Sequence, residues 1–301
     1  MITDINQDIS FGTKLKAYFQ ILKFRLSAVV AFSAGIGFLL ASDTVSYLNL
    51  ALIVLSGFMV TGGANIINQI KEIEYDRLMK RTQSRPLPMK VLSVEEAGIW
   101  ALILSVLGLG IQLSFLNHLT AGLSILSLVL YGFVYTPLKR VGSIAVWVGA
   151  LPGALPVLIG WTAVTDKIIP DSSTGAWLGV IVFAIQVVWQ LPHFWAIAWV
   201  GDEDYTNAGF RLLLNKGLKN KKTAFFIFLS NIALLVISML PVYLGMLSTV
   251  VSVIVIIAGV LFALQSVLLI RNCDRKSALM LMFGSLLYLP IIQVALVVGK
   301  L

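Results

Sequence analysis

The chain has 301 residues, 58% of them hydrophobic and 12% charged, with a formal net charge of +8. A soluble protein carries about 25% charged residues, so an ordinary soluble domain is excluded. One cysteine, Cys273, excludes an internal disulfide framework and a cysteine metal site.

The apolar residues fall in continuous windows of about 20, the length that crosses a hydrocarbon core. They do not alternate with polar residues, which excludes a membrane β-barrel. The expected fold is all-α, a polytopic bundle of about nine membrane helices, with residues 1–301 as one domain.

The chain opens on MITDINQDIS, which has two Asp and no Arg. This resembles neither a secretory signal nor a mitochondrial transit peptide. The first span then serves as the insertion signal, and a bacterial plasma membrane is the simplest location. Residues 1–23 read as a cytoplasmic segment. Within it, 10–22 fit an amphipathic surface helix with Lys14, Lys16 and Lys23 facing phospholipid. Spans follow at 24–41, 48–70, 95–116, 119–137, 143–163, 176–199, 223–245, 247–270 and 278–298.

With the N-terminus inside, every one of the 22 Lys and Arg except Lys167 and Lys300 lies inside. The positive-inside rule demands that bias, and an error of one span would destroy it. The basic charge is split among short loops, so it does not indicate nucleic acid. Most acids also gather in two inside loops, 71–94 and 200–222. They follow spans two and six, which suggests two four-helix halves plus a final helix.

The stretch Asn68 to Pro88, NQIKEIEYDRLMKRTQSRPLP, carries the densest chemistry. Asn68, Glu72 and Asp76 recur every four residues. On a continuing helix they share one face. Hard oxygens of this kind hold Mg²⁺ together with phosphate oxygens. Arg81 and Arg85, one turn apart if the helix reaches them, offer guanidinium forks for phosphate. Basic residues at an inside helix end follow from topology alone, but the neighbouring acids do not. A site of this kind suits a substrate with a diphosphate head and an apolar tail.

Tyr135, Thr136, Pro137, Leu138, Lys139 and Arg140 close the fourth span. Its two cations either reach the diphosphate or merely anchor the helix. The fifth span reads GALPGALPVLIGW, whose Gly and Pro breaks let helices bend and line a cavity. In the sixth, Gln186, Gln190 and His193 fall at i, i+4 and i+7. Polar groups in a span either bond a neighbouring helix or line a cavity. Phe194, Trp195 and Trp199 follow His193 and could shape a pocket for a large flat molecule. Asp202, Glu203 and Asp204 follow, without the four-residue spacing of the first cluster. Asp204 could hold a second metal or a water. Cys273 reads as a free thiol near the membrane surface.

Five segments resemble the UbiA superfamily of intramembrane prenyltransferases. They are Asn68-x₃-Glu72-x₃-Asp76, Met79-x-Arg81-Thr82-x₂-Arg85-Pro86-Leu87, Tyr135-Thr136-Pro137-Leu138-Lys139-Arg140, Trp189-Gln190-x-Pro192-His193-Phe194 and Asp204-Tyr205-x₂-Ala208-Gly209. They stand in family order within about residues 60 to 215. The fourth and fifth resemble the haem-directed branch. Glu72 stands where the family usually has Asp. VGSIAVWVGA after Arg140 lacks an expected Asn, and Arg211-Leu212-Leu213 replaces a Pro-Met-Leu-like segment.

The resemblance implies helices around a central cavity open near the cytoplasmic side, with farnesyl diphosphate and haem B as substrates and Mg²⁺ as cofactor. It implies that Asn68, Glu72, Asp76 and Asp204 hold metal, and that Arg81, Arg85, Lys139 and Arg140 hold the diphosphate. His193, Gln190, Trp189 and Tyr135 would line the acceptor pocket. His193 would meet either a haem propionate or the iron. Haem A synthase or oxidase assembly factors are the candidate partners. Two alternatives stay open: a UbiA-type enzyme with a quinone or other aromatic acceptor, and a transporter of an anionic lipid or metabolite.

Overall fold

A computed structural model describes residues 10–168 and 177–300. The chain's first nine residues and part of the loop before span six lie outside them. Among the described residues nine helices are long and apolar enough to cross a membrane. A short helix α1 (Phe11–Ile21) precedes them. The first three spans are α2 (Phe24–Ala41), α3 (Tyr47–Lys71) and α5 (Val94–Phe115), with a short α4 (Ile73–Leu78) between the last two. Then come α6 (His118–Leu138), α7 (Ile144–Thr165) and α8 (Leu178–Val200). A short α9 (Asp202–Asn207) leads to α10 (Lys221–Tyr243), α11 (Thr249–Asn272) and α12 (Arg275–Gly299).

Each span stands within a few residues of its expected place, and side chains cap the starts of five of them. Ser46, Asn117, Asn220 and Asp274 each accept a backbone N–H from the first turn they precede. Ser93 and Glu96 form a reciprocal box at the start of α5. Such caps satisfy N–H groups that the helix leaves unpaired.

Lipid removes the hydrophobic drive between helices, so close contact relies on small residues. At the crossing of α2 and α7, a Cβ on Gly37 would strike the Val157 carbonyl. One on Gly160 would strike that of Ala34. The end of α12 meets the end of α2 nearby. Lys300 Nζ donates to the carbonyls of Leu39, Leu40 and Ser42 at 3.4, 3.2 and 2.6 Å. A cation at a helix C-terminus is favoured by the helix dipole. Lys300 is thus the cap of α2.

Candidate active site

Helix α3 does not run on unbroken. At Glu72 the backbone departs to φ −107, ψ 9, and α4 resumes one residue later. The Glu72 N–H is shared between the Asn68 and Gln69 carbonyls, so the axis bends without leaving its course. Asn68, Glu72 and Asp76 therefore keep one face, and all three are buried.

Cations crowd that face. Arg85 Nη1 lies 2.7 Å from Asp76 Oδ2. Lys139 Nζ lies 2.8 Å from Glu72 Oε1, close enough for an ion pair, although its direction misses a hydrogen bond. Lys23 Nζ donates to Asn68 Oδ1 at 3.1 Å, and Asn68 Nδ2 donates to Thr136 Oγ1 at 3.1 Å. Asp76 Oδ1 is buried with no hydrogen-bond partner among the described residues. An orphaned carboxylate oxygen is costly unless a cation or water meets it. Two carboxylates and an amide oxygen fit Mg²⁺, which keeps waters and takes substrate phosphate for the rest. No three His, Cys, Asp or Glu side chains converge among the described residues.

The Lys23 position corrects the sequence reading. Its backbone adopts the left-handed region (φ 49) between α1 and α2, which aims the side chain inward instead of at phospholipid. Part of its surface still meets the cleft, yet protein atoms ring the ammonium. Burial, then the charges of Arg85 and Lys139, push its pKa down to about 7, against the pull of Glu72 and Asp76. Lys14 is also turned from lipid, pairing with Glu96 at 2.7 Å. Lys16 remains exposed.

Arg81 and Arg85 do not share a helix face. Helix α4 stops at Leu78, where Thr82 Oγ1 donates to the Asp76 carbonyl and the chain turns through Pro86 and Pro88. Arg85 reaches inward, while the Arg81 guanidinium lies 5.9 Å from the Tyr205 ring. Lys139 and Arg140 also part. Lys139 joins the cluster, whereas Arg140 sits at the rim, 4.6 Å from the Tyr75 ring, and donates to the Lys71 carbonyl at 3.3 Å. Asp204 is occupied too: its two oxygens accept the N–H groups of Lys80 and Arg81 at 3.1 and 3.3 Å. The second acidic segment thus braces the first loop. Asp202 pairs with Lys219 at 3.0 Å.

Span four carries a feature that spacing did not announce. Leu130–Tyr135 form a π-helical turn just before Pro137, which has no N–H to donate. Thr136 donates both its backbone N–H and, at 2.8 Å, its Oγ1 hydroxyl to the Tyr131 carbonyl. The wider turn sets the Tyr135 ring 4.8 Å from Lys139 Nζ and 6.2 Å from Phe194. Gly149 lies against that ring, and a Cβ there would come within 2.6 Å of it.

Phe194 continues to His193, with ring centres 5.8 Å apart, and His193 stacks on Trp189 at 4.5 Å. Span nine holds both rings. Ser285 accepts the Trp189 indole N–H on its carbonyl at 2.9 Å, and its Oγ meets His193 Nδ1 at 2.7 Å. The single Ser285 hydroxyl proton goes to the Met282 carbonyl at 2.6 Å. Ser285 Oγ therefore accepts from Nδ1–H, which leaves a lone pair on His193 Nε2. Gln190 packs on Gly153, while Gln186 bonds Ser33 and the Gly153 carbonyl. Ser285 did not stand out in the sequence, since a single hydroxyl in an apolar run usually bonds its own helix.

The bundle, with its buried acids and cations at one mouth and aromatic rings behind them, defines an intramembrane prenyltransferase. A model of the UbiA prenyltransferase family matches residues 29–287, and the chain belongs to that family. It is 46% identical over 291 residues to the protoheme IX farnesyltransferase of Cytophaga hutchinsonii, covering 96% of this chain and 99% of that one. The fold is similar to a digeranylgeranylglyceryl phosphate synthase structure, with a TM-score of 0.77 at 22% identity, covering 95% of this chain and 98% of the other. It is also similar to a UbiA homolog from Archaeoglobus fulgidus bound to GPP and Mg²⁺, with a TM-score of 0.67 at 15% identity over 93% of this chain and 99% of that one.

Proposed function

We propose that this enzyme transfers the farnesyl group of farnesyl diphosphate to a vinyl group of haem B, giving haem O and diphosphate. The observation that carries the reading is the buried Asn68–Glu72–Asp76 face, matched by Arg85, Lys139 and Lys23. The extended likeness to the Cytophaga protein supports the haem acceptor.

Asn68, Glu72 and Asp76 would hold Mg²⁺, and Asp204 would join through water. When bound, that ion adds positive charge beside the departing diphosphate. Arg81, Arg85, Lys139 and Arg140 hold the diphosphate oxygens, with Arg85 and Lys139 turning from Asp76 and Glu72 to do so. Fixed charge placed where charge develops lowers the barrier. The farnesyl C1–O bond breaks and both electrons leave with diphosphate. The allylic C1 then bonds the terminal vinyl carbon, which leaves a cation on the carbon next to the macrocycle. Water adds there and loses a proton, giving the hydroxyl of a hydroxyethylfarnesyl group. The Tyr135, Phe194 and Trp189 rings keep water from the first cation.

His193 presents Nε2 as an acceptor, which suits the haem iron and cannot donate to a propionate. We place the protein in a bacterial plasma membrane, N-terminus inside, with haem A synthase or oxidase assembly factors as partners. An acceptor competition tests the reading. Purified protein with farnesyl diphosphate and equal haem B and a quinone precursor yields prenylated haem alone. Prenylated quinone alone transfers the chain to another branch of the family. Binding of both substrates without diphosphate release is the outcome a transporter would give.

A further inference from the structure

A cavity of about 370 Å³ opens between α1, α4, the turns after α4 and the start of α5. It is separate from the active site but shares a wall with it. Glu72 and Asp76 turn inward, whereas Ile73 and Arg77, each one residue on, are about 100° around the axis and line this cavity. Its cations come from three segments: Lys14 of α1, Arg77 of α4 and Lys90 of the turns. Lys14 pairs with Glu96 and Arg77 with Glu74, but Lys90 forms no ion pair among the described residues. Lys90 stands at φ +57, a conformation that side chains other than glycine's rarely adopt. Glu96, the one acid of the lining, is held by Lys14 and by the Ser93 N–H in the capping box that closes the α5 N-terminus, so the three cations outnumber it. The cavity therefore favours an anion.

Its depth shows which anion. Helix α1 docks through Ala17 and Ile21, and shows Phe11, Leu15 and Phe19, four residues apart, on its outer side. Such a helix lies at the boundary of headgroups and acyl chains. The exposed Val94, in the cavity wall, begins a membrane span. Charge and apolar surface meet here at headgroup level.

We propose that this cavity binds the phosphate headgroup of one anionic phospholipid, whose acyl chains run down the outer faces of α1 and α5. The bound lipid buttresses α4 from behind the metal-binding face.

The test uses full-length, delipidated protein in detergent, read by native mass spectrometry and thermal unfolding. Probes are phosphatidylglycerol, phosphatidylcholine and inorganic phosphate. Phosphatidylglycerol is expected to bind at one per chain and raise Tm, while phosphatidylcholine and phosphate do not. Lys90→Glu weakens that binding at least tenfold and Lys90→Ala weakens it less. Lys276→Glu, which makes the same charge change at an exposed site far along the chain, does not. Equal binding of both lipids, or unchanged affinity in Lys90→Glu, overturns the proposal. Saturation by inorganic phosphate alone would make this a free-anion site and also overturn it.

Discussion

Arg85 Nη1 sits 2.7 Å from Asp76 Oδ2, and the Asp76 side chain is wholly buried. The arginine proposed to hold substrate thus neutralises the acid proposed to hold metal. Removing one partner of a buried pair strands the other charge and typically costs about 3–5 kcal/mol. Arg85→Ala should lower the thermal midpoint of the metal-free protein clearly. Arg81→Ala, whose guanidinium only faces Tyr205, should lower it little. Equal midpoints would mean that the pair contributes nothing.

Lys23 sets a pH dependence. Its folded-state pKa is about 7, against about 10.4 for an unperturbed lysine. Between those values the unfolded chain holds the proton and the folded chain does not. Stability therefore rises with pH across that window, and the cost of a buried ammonium is fully present below it. Thermal unfolding without metal should show the midpoint climbing from about pH 6.5 to pH 9. Lys23→Met should flatten the climb. A slope of equal size in that variant would assign the effect elsewhere.

Ser285 orients His193 and Trp189 at once. Loss of one neutral hydrogen bond costs about 1 kcal/mol, or roughly fivefold in affinity. Ser285→Ala should weaken haem B binding by about that factor and alter the haem absorption spectrum. Its farnesyl diphosphate affinity should stay unchanged. Loss of both affinities together would indicate a disturbed bundle instead.

Helix approach gives a sharper contrast. Gly160→Ala would drive a methyl into the Ala34 carbonyl on the neighbouring span. Gly122→Ala meets nothing within 4 Å. The first should abolish recovery of folded protein, and the second should leave the yield and midpoint as in the parent chain. Size-exclusion profiles in detergent compare them directly.

The spans were legible because bilayer thickness sets the length of whole apolar segments. The Asn68, Glu72 and Asp76 face was legible because helical spacing survives the bend at Glu72. The cations were read less well. Lys23 depends on a left-handed backbone between two helices, and Arg85 on turns that begin where α4 ends. Periodicity reports neither. Asp204 was legible as a candidate from its charge, whereas its bonds to the Lys80 and Arg81 N–H groups require knowing that two distant loops meet. Ser285 lies 92 residues from His193, so no local pattern could pair them.

The most direct measurement incubates the purified protein with haem B, farnesyl diphosphate and Mg²⁺, and weighs the porphyrin product. The account predicts a haem heavier by one farnesyl group and one hydroxyl, absent with EDTA and in Asp76→Asn. The same product formed undiminished by Asp76→Asn, or in the presence of EDTA, would contradict it.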